Sequence, residues 1–280
     1  MLEINNLTFQ YSRRAKPVLD NLSLNLNKGC VYGLLGKNGA GKSTLLYLMC
    51  GLLFPKKGDV LYQGTDVRKR MPSTLDKIFL IPEEFSLPTV TLEQYIRVNE
   101  PFYPNFSREL LLNCLHGFDM DGDIHLGGLS MGQKKKAFLC FALATNTPLI
   151  LMDEPSNGLD IPSKSQFRRV IASGMTEEKS IVISTHQVRD VDMLLDHLII
   201  IDEGRVKLNV SVQTLSECLC FEERMMGEPV DDALYVQPSL HGNGVVVPNS
   251  DGCETTIQLE WLFNAVLADS ERINQIISGM

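Results

Sequence analysis

The sequence predicts an α/β protein built on a parallel sheet covered by helices, with an antiparallel β portion near the N-terminus. Three observations lead there. Residues 149–152, Leu-Ile-Leu-Met, and 181–183, Ile-Val-Ile, are short, wholly apolar runs bounded by polar residues. Such runs suit strands buried on both faces, as in a parallel sheet. A glycine-rich turn at residues 36–41 joins a buried strand pattern at 30–35 to an apolar helix start at 43–50. The first strands alternate apolar and polar residues and are joined by short connections, which suits antiparallel pairing.

Taken in order, Leu2, Ile4, Leu7, Phe9 and Tyr11 mark a first strand, with Asn5-Asn6 interrupting its period. Leu22, Leu24 and Leu26 alternate with polar residues in a half-buried second strand, closed by the turn Asn27-Lys28-Gly29. After the glycine-rich turn and its helix, Lys56-Lys57-Gly58-Asp59 turns the chain into a strand at Val60-Leu61-Tyr62. From about Val90 to Ala144 the period becomes helical, broken at Phe102-Tyr103-Pro104-Asn105, with Ser107 placed to cap a helix through Leu115. Beyond Val206 the pattern loses regularity. Asn249-Ser250-Asp251-Gly252 predicts a hairpin turn between Val245-Val246-Val247 and residues 255–259, and a helix starts at about Glu260.

The glycine-rich turn reads Gly36-Lys37-Asn38-Gly39-Ala40-Gly41-Lys42-Ser43-Thr44 and fits G-x-x-x-x-G-K-[ST], a phosphate-binding loop between strand and helix. Glycines let the backbone wrap an anion closely. The inward N–H groups and the positive end of the helix then favour negative charge. Lys42 reaches the β- and γ-phosphates, and the Ser43 hydroxyl suits Mg²⁺. A second motif is the apolar run 149–152 followed by Asp153-Glu154. It describes a buried strand delivering carboxylates at its C-terminal end, where open α/β sheets bind ligands. Asp153 suits Mg²⁺ and Glu154 suits the attacking water. On a strand the two adjacent side chains would point oppositely.

Composition narrows the partners. The formal net charge is −8 over 280 residues, which argues against nucleic acid, since phosphate contacts need a basic field. The clusters Arg68-Lys69-Arg70 and Lys134-Lys135-Lys136 read as solvated faces. Seven scattered cysteines suit a reducing compartment, with Cys30, Cys50 and Cys140 as small core residues. No secretory signal precedes the first strand, and the longest apolar stretch, near Leu45 to Phe54, falls short of the roughly 20 residues that span a bilayer.

A third motif, Leu129-Ser130-Met131-Gly132-Gln133, lies between the phosphate loop and the acidic strand. With it the chain resembles the ATPase subunits of ATP-binding-cassette (ABC) transporters, whose signature is L-S-G-G-Q. Ser156-Asn157-Gly158-Leu159-Asp160 resembles their D-loop, Ser184-Thr185-His186 their switch-histidine loop, and Tyr11 the aromatic that stacks on adenine. The resemblance covers about residues 2–207. It implies a RecA-like P-loop NTPase core with an antiparallel β lobe and a helical subdomain at about 87–140. Residues 208–280 are then a small C-terminal extension.

The resemblance further implies ATP hydrolysis with ATP and Mg²⁺ at sites shared by two subunits, a homodimer being the simplest pair. Nucleotide would be held by Tyr11, Gly36, Asn38, Gly39, Ala40, Gly41, Lys42, Ser43 and Thr44 of one subunit. Ser130, Gly132, Gln133 and Asp160 of the other would close the site. Lys42, Glu154 and His186 would carry the catalysis, and Ser43, Asp153 and Glu83 the metal. Glu83 is a departure: the family usually has Gln after this strand, whereas Ile81-Pro82-Glu83-Glu84 supplies a carboxylate. A carboxylate also suits Mg²⁺. The tail Leu259-Glu260-Trp261-Leu262-Phe263 looks like subunits of two-protein exporters. The chain would then sit on the cytoplasmic face of a membrane, with a permease docked around residues 85–103. The alternative is a soluble cassette ATPase with a non-transport role.

Overall fold

A computed structural model describes residues 1–240 and 242–279. β1 (Leu2–Phe9) and β2 (Leu19–Leu26) pair antiparallel. Asn5-Asn6 does not end β1. Asn6 takes a φ of 46° and the register slips between Ile4 and Leu7, a bulge that returns the apolar residues to the inner face. β3 (Val31–Leu35) runs into the glycine-rich turn and α1 (Lys42–Met49). β4 (Lys57–Tyr62) and β5 (Thr65–Asp66) rejoin the first sheet in the order β2-β1-β4-β5. The short α2 (Pro72–Leu75) leads to β6 (Ile78–Ile81).

A helical arm follows. α3 (Leu92–Asn99) starts on a reciprocal capping box between Thr91 and Gln94. α4 (Arg108–Gly117) starts on Ser107, whose Oγ accepts from the Leu110 N–H. α5 (Met131–Ala144) has a half-exposed first turn, while Leu139 to Ala144 are buried. β7 (Leu149–Asp153), α6 (Ile161–Gly174), β8 (Ser180–Thr185), β9 (His197–Asp202) and β10 (Arg205–Ser211) complete a six-stranded sheet of order β10-β9-β3-β8-β7-β6. Its pairings are parallel except for the β9–β10 hairpin.

Neighbouring residues of the central strands feed different cores. Val31, Ile150, Met152, Ile181 and Ile183 pack towards the helical arm, whereas Tyr32, Leu34, Leu149, Leu151 and Val182 pack with β1, β2 and α1. Two apolar faces explain why these strands carry no polar alternation. The sheet therefore stands between the antiparallel lobe and the helices, and its strand ends point the loops 36–41, 153–160 and 184–187 to one edge.

The remainder forms α7 (Val212–Cys218), β11 (Leu219–Met225), β12 (Tyr235–Pro238), β13 (Gly242–Pro248), α8 (Leu259–Ala268) and α9 (Ser270–Ser278). The hairpin expected across Asn249–Gly252 is absent. β13 is the middle strand of a three-stranded sheet, with β11 and β12 on its two edges, so no edge is left for residues 255–259. The segment instead passes along β11, where Thr255 Oγ1 accepts from the Phe221 N–H at 2.9 Å. The division expected after residue 207 falls inside β10, which belongs to the large sheet. Cys140 is fully buried as a core residue, but Cys30 and Cys50 are only half-buried.

Candidate functional site

The glycine-rich turn takes its shape from two positive φ angles, +82° at Gly39 and +103° at Gly41. A side chain at Gly41 would also strike Leu19, 2.7 Å from where its Cβ would lie, so residue 41 needs glycine for both conformation and space. Beyond it, Lys42 is buried, and its Nζ donates to Gly36 O at 2.8 Å and Lys37 O at 3.3 Å. Burial lowers the Lys42 pKa, and the fields of Glu154, Asp153 and Glu83 pull it back up. Ser43 is half-buried in the first turn of α1. Thr44 Oγ1 shares a 2.9 Å hydrogen bond with the Tyr11 hydroxyl. That bond and an edge-to-face contact with Phe9, ring centroids 4.9 Å apart, fix a ring that is 64% exposed.

The acidic pair sits beside this turn. Asp153 ends β7, is buried, and accepts from Ser184 Oγ, the residue opposite it on β8. Glu154 lies just past the strand with a φ of 46°. This left-handed step breaks the strand alternation, so both carboxylates act on the same lysine instead of diverging. Glu154 Oε1 meets His186 Nδ1 at 2.7 Å, accepts the His186 N–H at 3.1 Å, and lies 3.8 Å from Lys42 Nζ. Glu154 Oε2 is buried and, among the described residues, has no hydrogen-bonding partner. A buried carboxylate oxygen of that kind is costly unless something else meets it.

Glu83 follows β6 and Pro82, is exposed, and accepts from Asn157 Nδ2 at 3.1 Å. Together with Ser43 and Asp153 it offers oxygen donors only, two of them anionic, which is the chemistry magnesium prefers.

Ser130, Gly132, Gln133 and Asp160 form a separate group at two helix starts. Ser130 and Gln133 close a reciprocal capping box on α5. Asp160 caps α6, accepting the Ser163 N–H at 2.9 Å, and the Ser163 side chain and backbone together lower its pKa. Among the described residues no hydrogen bond or ion pair joins this group to the Lys42 turn. Lys42, Glu154 and His186 thus touch one another, while Ser130 and Asp160 are engaged in capping two helix starts.

Three contributors were not singled out from sequence. Ser184 orients Asp153 and accepts the Glu154 N–H through its backbone oxygen at 3.0 Å. Only strand register reveals that it faces the acids. Lys135 donates to Asn157 O at 2.7 Å, and Lys136 to Gln166 Oε1 at 3.1 Å, so two of the three lysines expected on a solvated face are tied to the loop and helix after β7. In the segment 85–103 only Phe102 and Val98 among the large apolar residues are exposed; Leu92 and Ile96 are core.

The sequence pattern of the family described as ABC transporter matches residues 19–157. The chain is 32% identical to the lantibiotic transport ATP-binding protein SrtF of Streptococcus pyogenes over 74% of this chain and 90% of that protein. It is 28% identical to the SkfA peptide export ATP-binding protein SkfE of Bacillus subtilis, over 83% and 99% of the two chains. Among solved structures, an ATP-binding subunit of an ABC transporter superposes with a TM-score of 0.68 at 26% identity, covering 77% of this chain and 91% of that one. The ATP-binding cassette MJ0796, in a dimeric post-hydrolysis state bound to ADP and Pi, superposes with a TM-score of 0.66 at 23% identity, covering 76% and 99%.

Proposed function

This chain belongs to the ABC transporter family as an ATP-binding, ATP-hydrolysing cassette, and we propose that it drives export through a separate membrane permease, working as a pair of identical subunits. The observation that carries the reading is the meeting of Lys42, Glu154 and His186 at the strand ends, while among the described residues Ser130 and Asp160 cap two helix starts without bonding to them. Two copies arranged head to tail bring one group onto the other.

In this reading the loop N–H groups and the α1 dipole hold the phosphates. Lys42 exchanges Gly36 O and Lys37 O for the β- and γ-phosphate oxygens, and Tyr11 offers its exposed ring to the adenine. The Glu154 Oε2 atom takes up the attacking water, oriented while Oε1 stays pinned by His186. The second ring nitrogen of His186 faces the γ-phosphate. Ser130, Gly132 and the positive end of α5 from the partner complete the oxyanion cradle, with Gln133 and Asp160 at its rim. Ser43, Asp153 and Glu83 would hold Mg²⁺, whose charge neutralises the phosphates when bound. Among the described residues no helix is long and apolar enough to cross a membrane, and this reading assigns the crossing to a separate permease. Relatives named for lantibiotic transport and peptide export, and the exposed Phe102 and Val98 on the helical arm, support that placement on the cytoplasmic face.

The test is Lys42→Ala. The variant is expected to lose ATP turnover by about 100-fold or more, as expected for removal of a group that stabilises transferring phosphate. Phosphate release and a thermal melt, measured together, check it. A folded variant with undiminished turnover contradicts the site.

A further inference from the structure

Lys135 stands outside the machinery just described, yet its surroundings are particular. It projects from the second turn of α5, directly after the Ser130–Gln133 capping box. Its Nζ donates to Asn157 O at 2.7 Å, and the side chain of the same Asn157 donates to Glu83 Oε1 at 3.1 Å. Burial lowers the Lys135 pKa, while the fields of Glu83 and Glu154 pull it up. An open groove of about 470 Å³ lies alongside, between Glu83, Met131, Gly132, Lys135 and Gly158. Three segments therefore meet at Asn157: the strand end bearing Glu83, the loop after β7, and the first turns of α5.

We propose that Lys135 and Asn157 form a clasp on Glu83 within one subunit, competing with the divalent cation for that carboxylate. Lys135 and Asn157 are positioning residues: they act through Glu83 and not on the nucleotide. The argument rests on the reading of Glu83 as a metal-side carboxylate. The bond from Asn157 Nδ2 occupies a lone pair of Glu83 Oε1 and fixes the direction in which the carboxylate presents its remaining lone pairs, so it biases which way Glu83 faces. Arrival of the metal with its nucleotide turns Glu83 away from Asn157. The tie from Asn157 to α5 then loosens, and the Ser130 end is freed to meet the partner subunit's phosphate. Lys135 acts on the clasp through Asn157, whose backbone oxygen accepts its ammonium while the Asn157 side chain holds Glu83, so a carboxylate at position 83 sits in the field of that ammonium.

The experiment is a magnesium titration of fluorescent non-hydrolysable ATP analogue binding, read by anisotropy, on the full chain. Lys135→Met and Asn157→Ala are each expected to lower the half-saturating Mg²⁺ concentration by about threefold, the size of one exposed hydrogen-bonded contact. In a Glu83→Gln background, where the attraction of Lys135 to a carboxylate is gone, Lys135→Met is expected to change it less than 1.5-fold, within the scatter of additive sites. The two variants act at different atoms, so a folding defect in one leaves the other to decide. Unchanged magnesium dependence in the folded variants, or the same shift from Lys135→Met in both backgrounds, overturns the clasp while leaving ATP binding intact. A parent chain that binds the analogue without any response to Mg²⁺ overturns the metal reading of Glu83, and the clasp with it.

Discussion

Glu154 carries its proposed chemistry in a backbone conformation that L-residues adopt at a cost of about 1–2 kcal/mol. The left-handed step is held by the bond from its N–H to Ser184 O and by the two contacts of Oε1 with His186. Its effect is to bring the Glu154 carboxylate within 3.8 Å of Lys42 Nζ. Gln at this position keeps the shape and gives up the base. Glu154→Gln is expected to retain ATP binding while turnover falls by roughly 100-fold or more, the usual contribution of a positioned base. Filter-bound nucleotide and released phosphate, measured on one sample, separate the two quantities. Retained turnover would assign the water to another group.

The ends of α5 and α6 meet on a single buried ammonium. Lys179 donates to Leu143 O, Gly174 O and Asn146 Oδ1, and burial without a carboxylate beside it pushes its pKa down to about 8. The folded value lies below the unfolded one, so between about pH 8 and pH 10 the unfolded chain binds more protons. Folding is therefore penalised by this lysine at lower pH and relieved as pH rises. The stability of the parent relative to Lys179→Met is expected to grow by about 2 kcal/mol from pH 7.5 to pH 10, read by chemical denaturation. A constant difference would mean that Lys179 titrates as it does in water. At the scale of elements the sequence was most legible where both strand faces are apolar: β3, β7 and β8 announce themselves because no polar alternation survives two cores. The phosphate loop was legible because its glycines and lysine lie together in sequence. Ser184 and the Lys135–Asn157–Glu83 contacts were not, because they depend on strand register and on loops far apart in the chain. The Asn249–Gly252 turn misled for a related reason: its residues favour a hairpin, but the strand before it has both edges taken.

Across the whole molecule the grouping of the candidate residues matters most. Lys42, Glu154 and His186 gather at one set of strand ends, while Ser130, Gly132 and Asp160 stand at helix starts that do not bond to them within the chain. In the proposed reading a single copy holds nucleotide incompletely and ATP joins two copies. Hydrolysis would then separate them, converting a local change of charge into a large motion. The acidic formal charge of −8 opposes association of two identical chains until phosphate-binding contacts outweigh it, so the pair is expected only with nucleotide. The most direct measurement is sedimentation velocity of Glu154→Gln, which preserves the proposed binding surfaces and slows hydrolysis. With saturating Mg-ATP the account predicts a dimer that reverts to monomer with Mg-ADP or when Ser130→Phe blocks the opposing helix end. A monomer under saturating Mg-ATP, with binding demonstrated in the same sample, would contradict it.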